Sequence, residues 1–258
     1  MANILERYGI KEVADVTFYD INSDGTRGAA VLYLDTLKVS TIEQTAEEAE
    51  ARGGKGNPPL IIWDYGKEIT VTLEDALFSA KSLAIMFGDS TLSSATKITK
   101  TITFKGKTVP TNIELPGGKV VAVPDDAKVY DAKGVEKGTK KTLADSTAST
   151  TLTAGETYFL VSELAVDGQE IEISANSFPG TYYVTGDTYA RSEVTGKDEF
   201  FQFIIQKAKV QSENTITLEA EGDPSVFNMN LRVMRPSDGK MMKLVKYSIT
   251  GATEDAQV

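Results

Sequence analysis

Hydrophobic and polar residues alternate along the last third of the chain. In Phe227–Val233, which reads FNMNLRV, every odd position is apolar and every even position is polar. A period of two is typical of a strand with one buried and one solvent-facing side. Phe201–Gln206 and Ile216–Leu218 alternate in the same way, and turns at Thr195–Asp198 and Glu221–Pro224 separate the three runs. The pattern predicts an amphipathic sheet that forms a wall and contains no catalytic signature.

The first third of the chain predicts further strands, interrupted by one polar segment. Strands are expected near Ala14–Tyr19, Ala29–Leu34 and Leu37–Ile42. Residues 44–59, QTAEEAEARGGKGNPP, are small, charged and rich in glycine and proline, with almost nothing apolar to bury. This composition predicts a long exposed loop that is mobile while the subunit is alone. The strand pattern then resumes over Leu60–Leu73.

One helix is predicted at about residues 73–87. Its apolar side chains recur at helical spacing, Thr72 followed by Asp75 resembles a capping box, and Gly88 provides a stop. Additional apolar residues such as Phe78 and Ile85 widen the stripe beyond one face. The segment is therefore expected to be a buried core helix, or a helix that also packs against a neighbouring subunit.

Residues 105–156 have a looser pattern, with glycine and proline turns, short β runs and a tract rich in Ser, Thr and Ala. We interpret this segment as an elaboration inserted between two halves of one β fold. Further strands are expected at Lys119–Val123, Ala127–Tyr130, Tyr158–Ser162, Glu170–Ser174 and Met241–Ile249.

Composition removes most catalytic chemistry. The 258 residues include no cysteine and no histidine, which excludes disulfides, thiolate nucleophiles, Ser-His-Asp triads and the usual zinc sites. The net charge of −10 disfavours tight binding to nucleic acid phosphates. No apolar run is long enough to span a bilayer, and the first residues lack the features of a secretory signal. We therefore predict that the protein is not an enzyme and has no catalytic residue, cofactor, metal site or membrane segment.

Two motifs that suggest ligand binding have simpler explanations. Asp20–Gly25 matches the opening of a calcium-binding EF-hand loop, but Val31 stands at the twelfth position, where a bidentate Glu is required. An Asn/Asp/Gly hairpin turn explains these residues equally well. Gly53–Gly56 and Gly106–Thr108 each resemble part of a phosphate-binding loop, and neither has the required glycine and hydroxyl spacing.

Carboxylates and aromatic residues leave one further alternative. A glycosidase needs two carboxylates in one rigid cleft, whereas the acidic clusters of this chain fall mostly in segments expected to be loops and turns. Tyr182, Tyr183, Tyr189 and Trp63 could form a sugar-stacking face, although aromatic residues on a β-sandwich more often belong to a core or an interface. A carbohydrate-binding β-sandwich therefore stays open as an alternative.

Two blocks of the sequence, Val39–Gly88 and Glu170–Met234, resemble the tail tube proteins of tailed bacteriophages and related contractile injection systems. The resemblance rests on the order of strand, long loop, strand pair, helix and late strands ending in GKDEFFQFIIQKAKV and EGDPSVFNMNLRV. It implies a mainly β fold, a β-sandwich or barrel with one flanking helix, and a single tail-tube domain over residues 1–258. Such subunits form hexameric rings that stack into a hollow tube, through which the genome is ejected.

The resemblance also implies roles for particular residues. Residues 44–59 would contact the adjacent ring, which gives the interface candidates Glu47, Glu48, Glu50, Arg52 and Lys55. Polar residues on the solvent-facing side of the late strands would line the channel, with Gln202, Gln206, Asn228, Asn230 and Arg232 as candidates. An acidic balance suits such a channel, because DNA would pass without sticking.

The expected partners follow from the same resemblance. They are further copies of the chain, sheath or other tail proteins, the baseplate and the tape-measure protein, with viral DNA passing through the lumen without specific binding. The protein would belong to the virion tail and assemble in the host cytoplasm. A baseplate or tail-terminator protein of related fold, which forms a single ring, is the main alternative.

Overall fold

The computed structural model describes residues 7–88, 93–144, 152–213, 216 and 225–247. The fold is mainly β, with 59% of residues in strands and 6% in helices, which confirms the predicted fold class. The elements in chain order are β1 (Tyr8–Ile10), β2 (Asp15–Ile21), β3 (Arg27–Leu34), β4 (Leu37–Arg52), β5 (Pro59–Asp75), α1 (Ala80–Phe87), β6 (Ser93–Lys105), β7 (Asn112–Leu115), β8 (Lys119–Ala122), β9 (Lys128–Asp131), β10 (Glu136–Thr139), α2 (Lys140–Ala144), β11 (Thr157–Glu170), β12 (Thr181–Ser192), β13 (Asp198–Val210), β14 (Phe227–Val233) and β15 (Lys243–Tyr247).

The chain divides into two compact units. Residues 1–92 and 171–258 form the first unit, and residues 93–170 form the second. The elaboration expected at residues 105–156 lies within the second unit. The description of the whole chain as one tail-tube domain with an insertion stays a prediction.

A nine-stranded antiparallel sheet makes up the first unit. Its strands follow the order β3-β2-β12-β13-β14-β5-β4, with β1 on β12 and β15 on β13. The two end strands, β3 and β4, are consecutive in the chain and are joined only by Asp35 and Thr36. The sheet must therefore fold over to bring its ends together. No ladder between described residues joins β3 to β4, so the sheet is not a closed barrel.

The core of the first unit lies on one face of this sheet. Because side chains alternate along each strand, every second residue of the central strands enters the core. Removal of these apolar side chains from water is the main force that holds the sheet in its folded-over form. The fully buried members include Val16, Phe18, Val71, Val184, Ile205, Ala208, Val210 and Leu231.

Helix α1 covers residues 80–87, so the predicted start near residue 73 is wrong. Leu73 and Asp75 are part of β5 and pair with Met229 and Phe227 of β14. Leu73 fits both the alternation of a strand and the apolar stripe of a helix. Its pairing with Met229 of β14 makes this part of the chain a strand. The N-cap is Ser79, whose hydroxyl accepts a hydrogen bond from the backbone N–H of Ser82 at 3.0 Å. The apolar residues Ile85 and Met86 pack on the core.

The predicted loop over residues 44–59 is also wrong, because most of it forms strand β4. Gln44 pairs with Ile69 and Ala51 pairs with Ile61, so that β4 and β5 form one long hairpin. The true turn is limited to residues 53–58, where Gly54 and Gly56 adopt positive φ angles. Composition alone suggested a loop, but a complete ladder to β5 satisfies the backbone of this polar strand.

The remaining strand predictions have mixed outcomes. Phe227–Val233 is confirmed with the predicted bounds, and the turn before Asp198 is confirmed between β12 and β13. The strand expected at Glu170–Ser174 is wrong, since β11 ends at Glu170 and irregular backbone follows. Apart from Ile216, the run Ile216–Leu218 and the turn Glu221–Pro224 lie outside the described residues.

The second unit has its own sheet and its own core. Strands β10-β9-β11-β6 form a four-stranded sheet, and β7 pairs with β8 in a separate hairpin. Ser93 at the start of β6 pairs with Glu170 at the end of β11, so the chain enters and leaves this unit at adjacent positions. The buried core includes Ile113, Val129, Tyr158, Leu160 and Leu164.

Candidate assembly surfaces

The far half of the β4–β5 hairpin, residues 44–68, forms a two-stranded ribbon whose side chains are almost all exposed. Residues that lie directly opposite each other in an antiparallel pair share one face. Ala49 pairs with Trp63, and Ala51 pairs with Ile61. On that face Ile61, Trp63 and Tyr65 are 53%, 52% and 52% exposed. We call this side the apolar face of the ribbon.

The opposite side of the ribbon carries negative charge beside Ile62, which is also 52% exposed. Glu48 pairs directly with Asp64, and Glu50 pairs with Ile62. Glu50 also accepts a hydrogen bond from Arg52, whose Nε atom lies 2.6 Å from Glu50 Oε2. We call this side the acidic face of the ribbon.

The structure thus separates the five predicted interface residues. Glu48 and Glu50 lie on the acidic face, and Arg52 at the end of β4 is paired with Glu50. Glu47 lies opposite Tyr65 on the apolar face, and Lys55 lies in the turn. The apolar residues of β5 were not among the candidates. A continuous apolar run such as Leu60–Trp63 is typical of a buried strand. The sequence of the partner strand β4 indicates the opposite, because its small and charged side chains are unable to bury the apolar residues of β5.

All five predicted channel residues lie on the same face of the large sheet, opposite the core. In β14 the buried residues are Met229, Leu231 and Val233, which places Asn228, Asn230 and Arg232 on the other side. In β13, Gln202 and Gln206 alternate with the buried residues Phe203 and Ile205. We call this side the outer face of the sheet.

The outer-face residues are held by neighbouring polar groups. Gln202 Nε2 donates to Asp187 Oδ1 at 2.8 Å, and Gln206 Nε2 donates to Asp238 Oδ2 at 3.3 Å. Arg232 forms an ion pair with Glu68 of β5. Asn228 Oδ1 is buried and has no hydrogen-bond partner among the described residues. These contacts limit the side-chain motion of Gln202, Gln206 and Arg232.

The electrostatic character of the outer face is acidic around Asp15 and Asp187, which pair directly across β2 and β12. Burial and the negative charge of Asp15 raise the pKa of the Tyr33 hydroxyl, which donates to Asp15 at 3.3 Å. Burial and the charge of Asp187 raise the pKa of Tyr247 in the same way. Both tyrosine hydroxyls therefore stay protonated at physiological pH.

The net charge is confined to the first unit. Residues 93–170 contain ten lysines and ten acidic residues, so the remaining residues contain 17 basic and 27 acidic residues and carry the whole charge of −10. The acidic balance is thus a property of the unit that contains the ribbon and the large sheet.

The other sequence motifs are structural. In Asp20–Gly25, the first two residues end β2 and the others lie in the β2–β3 turn, where Asp24 Oδ1 accepts hydrogen bonds from the N–H and the hydroxyl of Thr26. No group of acidic residues suited to a metal ion occurs in the described part of the chain. Gly53–Gly56 belongs to the turn of the ribbon.

The aromatic residues considered for sugar stacking do not all share one face. Tyr182 points to the core and packs edge-on against Phe18, with ring centroids 5.9 Å apart. Tyr183 and Tyr189 alternate with buried Val184 and Ala190 and so lie on the outer face. Among the described residues, no helix combines the length and apolar character needed to cross a membrane.

An exposed apolar ribbon and a folded-over sheet whose end strands each have one ladder partner among the described residues are features of a protein that associates through its surface. A model of the YomU/Tube protein family matches residues 8–246, and the chain belongs to this family. The chain is also similar to a protein of Bacillus phage SPR named "Tail tube protein", with 29% identity over 252 residues, covering 92% of this chain and 87% of the relative. The resemblance to phage tail tube proteins is confirmed.

Proposed function

We propose that this protein is the structural subunit of a phage tail tube, in which six copies form a ring and the rings stack into a hollow tube. The genome leaves the virion through this tube. The role is structural and requires no catalysis. The observation that carries the proposal is the apolar face of the ribbon, which has no partner within the described part of the chain.

The energetics of the ribbon favour association. Full burial of a large apolar side chain contributes about 1.5–3 kcal/mol relative to exposure. Ile61, Trp63 and Tyr65 are each about half exposed in the single subunit, so contact with a neighbouring copy would remove further area from water. A tube multiplies this contribution, because every subunit offers the same surface.

The end strands of the large sheet support ring formation. Within the residues that the structure describes, β3 and β4 each pair on one side only, which leaves backbone N–H and C=O groups of both strands without a ladder partner. Pairing between neighbouring copies would satisfy these groups and remove the exposed edges. A closed ring achieves this for all copies at once.

The outer face supports the proposed channel wall. Gln202, Gln206, Asn228 and Asn230 are uncharged, and Arg232 is already paired with Glu68. A wall that is polar and acidic on balance would repel phosphates weakly and bind them little. We therefore propose that the outer face lines the lumen and that DNA passes without specific binding.

The same assembly implies further partners in the virion. The open ends of a tube would contact the baseplate and other tail proteins, its outside would contact a sheath if the tail contracts, and its lumen would hold the tape-measure protein before ejection. Assembly of these parts would take place in the host cytoplasm.

Electron microscopy and analytical ultracentrifugation of the purified protein test the proposal. Stacked rings with six-fold symmetry and an open lumen are the expected result. Isolated rings that never stack would point to a baseplate or tail-terminator role. A protein that stays monomeric over the micromolar range would overturn the proposed assembly.

A further inference from the structure

Three aromatic side chains form a row on the outer face of the large sheet. Tyr189 of β12, Phe200 of β13 and Tyr247 of β15 occupy directly opposed positions of neighbouring strands. The ring centroids of Tyr189 and Phe200 lie 5.3 Å apart. Those of Phe200 and Tyr247 are also 5.3 Å apart, and these two rings are stacked. Tyr189 is 51% exposed, so the row is accessible from solvent. We call these three residues the aromatic row.

Two carboxylates lie beside the aromatic row on the same face. Asp15 of β2 and Asp187 of β12 are directly opposite each other, and we call them the carboxylate row. Asp187 is two residues from Tyr189, so the two rows are about 7 Å apart along the strand. The hydroxyl of Tyr247 donates a hydrogen bond to Asp187 at 3.4 Å, which links the rows. Like charges at directly opposed positions destabilise a strand pair, and a cation from outside the subunit would relieve this repulsion.

The cations that flank the two rows are already paired. Arg191, which follows Tyr189 by two residues on the same face, donates two hydrogen bonds of 2.7 Å to Asp198. Lys246 of β15 forms an ion pair with Glu199 at 2.8 Å. Neither cation therefore neutralises the carboxylate row, and no ion pair between described residues includes either of its members.

The remaining charges nearby leave the surface negative. Lys243 of β15 lies beside Asp238, whose pKa it helps to lower. A further carboxylate, that of Asp35, lies near enough to help raise the pKa of Tyr33. The two rows thus combine exposed aromatic rings with negative charge that has no counterion among the described residues.

This combination fits the guanidinium group of arginine. Guanidinium is planar, stacks on aromatic rings and binds carboxylates through two parallel hydrogen bonds, whereas an ammonium is a compact point charge. The outer face already contains both interactions. The guanidinium carbon of Arg27 lies 4.9 Å from the centroid of the Tyr19 ring, and Arg191 binds both oxygens of Asp198. Phosphate groups of nucleic acid would be repelled by the carboxylate row.

A protein other than a second copy of the chain is the better source of this arginine. Five of the six arginines of the chain are engaged within the subunit. Arg27 lies over Tyr19, and four others form ion pairs, namely Arg7, Arg52, Arg191 and Arg232. A second copy would have to break one of these contacts to supply most of its arginines.

We propose that the aromatic row and the carboxylate row bind an arginine side chain of a partner protein that occupies the lumen of the tube. The placement in the lumen rests on the proposed function, in which the outer face lines the channel. The recognition itself needs only one subunit. A ring of identical subunits would repeat the site around the channel, so that individually weak contacts reinforce one another.

Fluorescence anisotropy with the full-length protein, below the concentration at which it assembles, tests the recognition. The probe is a short labelled peptide in which arginines alternate with alanines, at an ionic strength of about 0.15 M to screen unspecific attraction. One comparison peptide contains lysine, and another contains citrulline, which has nearly the shape of arginine and no charge. We expect the arginine peptide to bind, the lysine peptide to bind several-fold more weakly and the citrulline peptide not to bind. Equal binding of either comparison peptide would overturn the proposal.

Substitutions in the two rows locate the binding site. Phe200→Leu removes the central ring. Asp15→Asn with Asp187→Asn removes both charges and keeps an amide oxygen that accepts hydrogen bonds. Each change should weaken binding of the arginine peptide by about tenfold. The asparagine pair should not lower the Tm, because it removes a repulsion. Unchanged binding in both variants would contradict the site.

Matched controls exclude unspecific attraction to an acidic protein. Phe178→Leu changes a 65% exposed aromatic residue of the same unit. Glu48→Gln with Asp64→Asn removes a different pair of directly opposed acidic residues and alters the net charge by the same amount. Both controls should bind the arginine peptide as the wild-type protein does. A loss in these controls as large as in the site variants would overturn the site.

The outcomes separate this inference from the proposed function. If the protein never assembles and the peptide still binds at the two rows, the recognition is correct and the tube is wrong. If tubes form and the peptide does not bind, only this inference is wrong. A peptide coupled to a carrier protein too wide for the lumen should bind the single subunit and not the tube, and equal binding to both would overturn a partner in the lumen. Tighter binding of a short DNA duplex at the same residues would make nucleic acid the occupant and overturn the partner protein.

Discussion

The two compact units of this protein are both built from antiparallel sheets, but they differ in net charge and in exposed apolar surface. The first unit, residues 1–92 and 171–258, holds the full negative charge, the exposed apolar ribbon and a large sheet whose two end strands each have a single partner strand among the described residues. The second unit, residues 93–170, is neutral, and several of its charges form ion pairs within the unit, as in Lys128–Glu136 and Lys137–Asp131. Features that favour association thus concentrate in the first unit, whereas the second has the balanced surface of a self-contained module.

The largest expected difference between the units concerns assembly. Trp63→Asp places a charge on the apolar face of the ribbon, and loss of a central aromatic anchor of an interface costs about 2 kcal/mol or more. We expect the critical concentration for assembly to rise by about a hundredfold, measured by sedimentation and electron microscopy. Val120→Asp changes a 62% exposed apolar residue of the second unit and serves as the control. A similar effect of both changes would contradict the division of roles.

Substitutions in the two cores test whether the two units unfold independently. Leu160 and Leu231 are both fully buried, the first in the second unit and the second in the first unit. Replacing either leucine by alanine should cost about 2–5 kcal/mol. Because each unit has its own core, Leu160→Ala should lower only one of two calorimetric transitions, and Leu231→Ala should lower only the other. A single transition that responds equally to both variants would show that the units unfold together.

Glycines with positive φ angles offer a smaller contrast. Gly88, which ends α1, has a φ of 80°, and an added Cβ atom would lie 2.3 Å from the backbone carbon of Phe178. Gly134 in the second unit has a φ of 79°, and an added Cβ atom would meet open space. Gly134→Ala should cost about 1 kcal/mol from backbone strain alone, and Gly88→Ala should cost clearly more because backbone must move. Urea denaturation measures both, and equal costs would contradict the close approach.

The sequence predicted the strands best where burial decides them. Phe227–Val233 alternates cleanly because Met229, Leu231 and Val233 enter the core, and that pattern also placed Asn228, Asn230 and Arg232 on a common outer face. The β5 half of the ribbon was predicted as a strand, whereas residues 44–52 of β4 were predicted as a loop, because composition does not show the ladder that pairs this polar strand with β5. The apolar face was missed for the same reason, since pairing of Ala49 with Trp63 depends on register.

The partition of charge was likewise hidden in the whole-chain average. A net charge of −10 describes the complete sequence, and its confinement to one unit depends on where the fold divides the chain. Helix α1 shows the limit of periodicity in a different way. Leu73 fits the helical stripe and the strand alternation, and only pairing with Met229 across β5 and β14 assigns it to the strand.

The smallest expected effect is a pH dependence that differs between the units. In the second unit, the Asp131 carboxylate accepts hydrogen bonds from Lys137 at 2.9 Å and from the N–H of Val135. These two contacts hold the pKa of Asp131 below the ordinary value of 3.8. Because the folded pKa is depressed, the contribution is present above pH 3.8 and is lost as pH falls through the folded pKa. In Asp131→Asn, the Tm of the second unit should therefore fall less steeply as the pH is lowered than it does in the wild-type protein. Arg191 lowers the pKa of Asp198 in the same manner, so Asp198→Asn should have this effect on the Tm of the first unit only. Calorimetry below pH 4 distinguishes the two, and a change in the wrong transition would contradict the independent behaviour of the units.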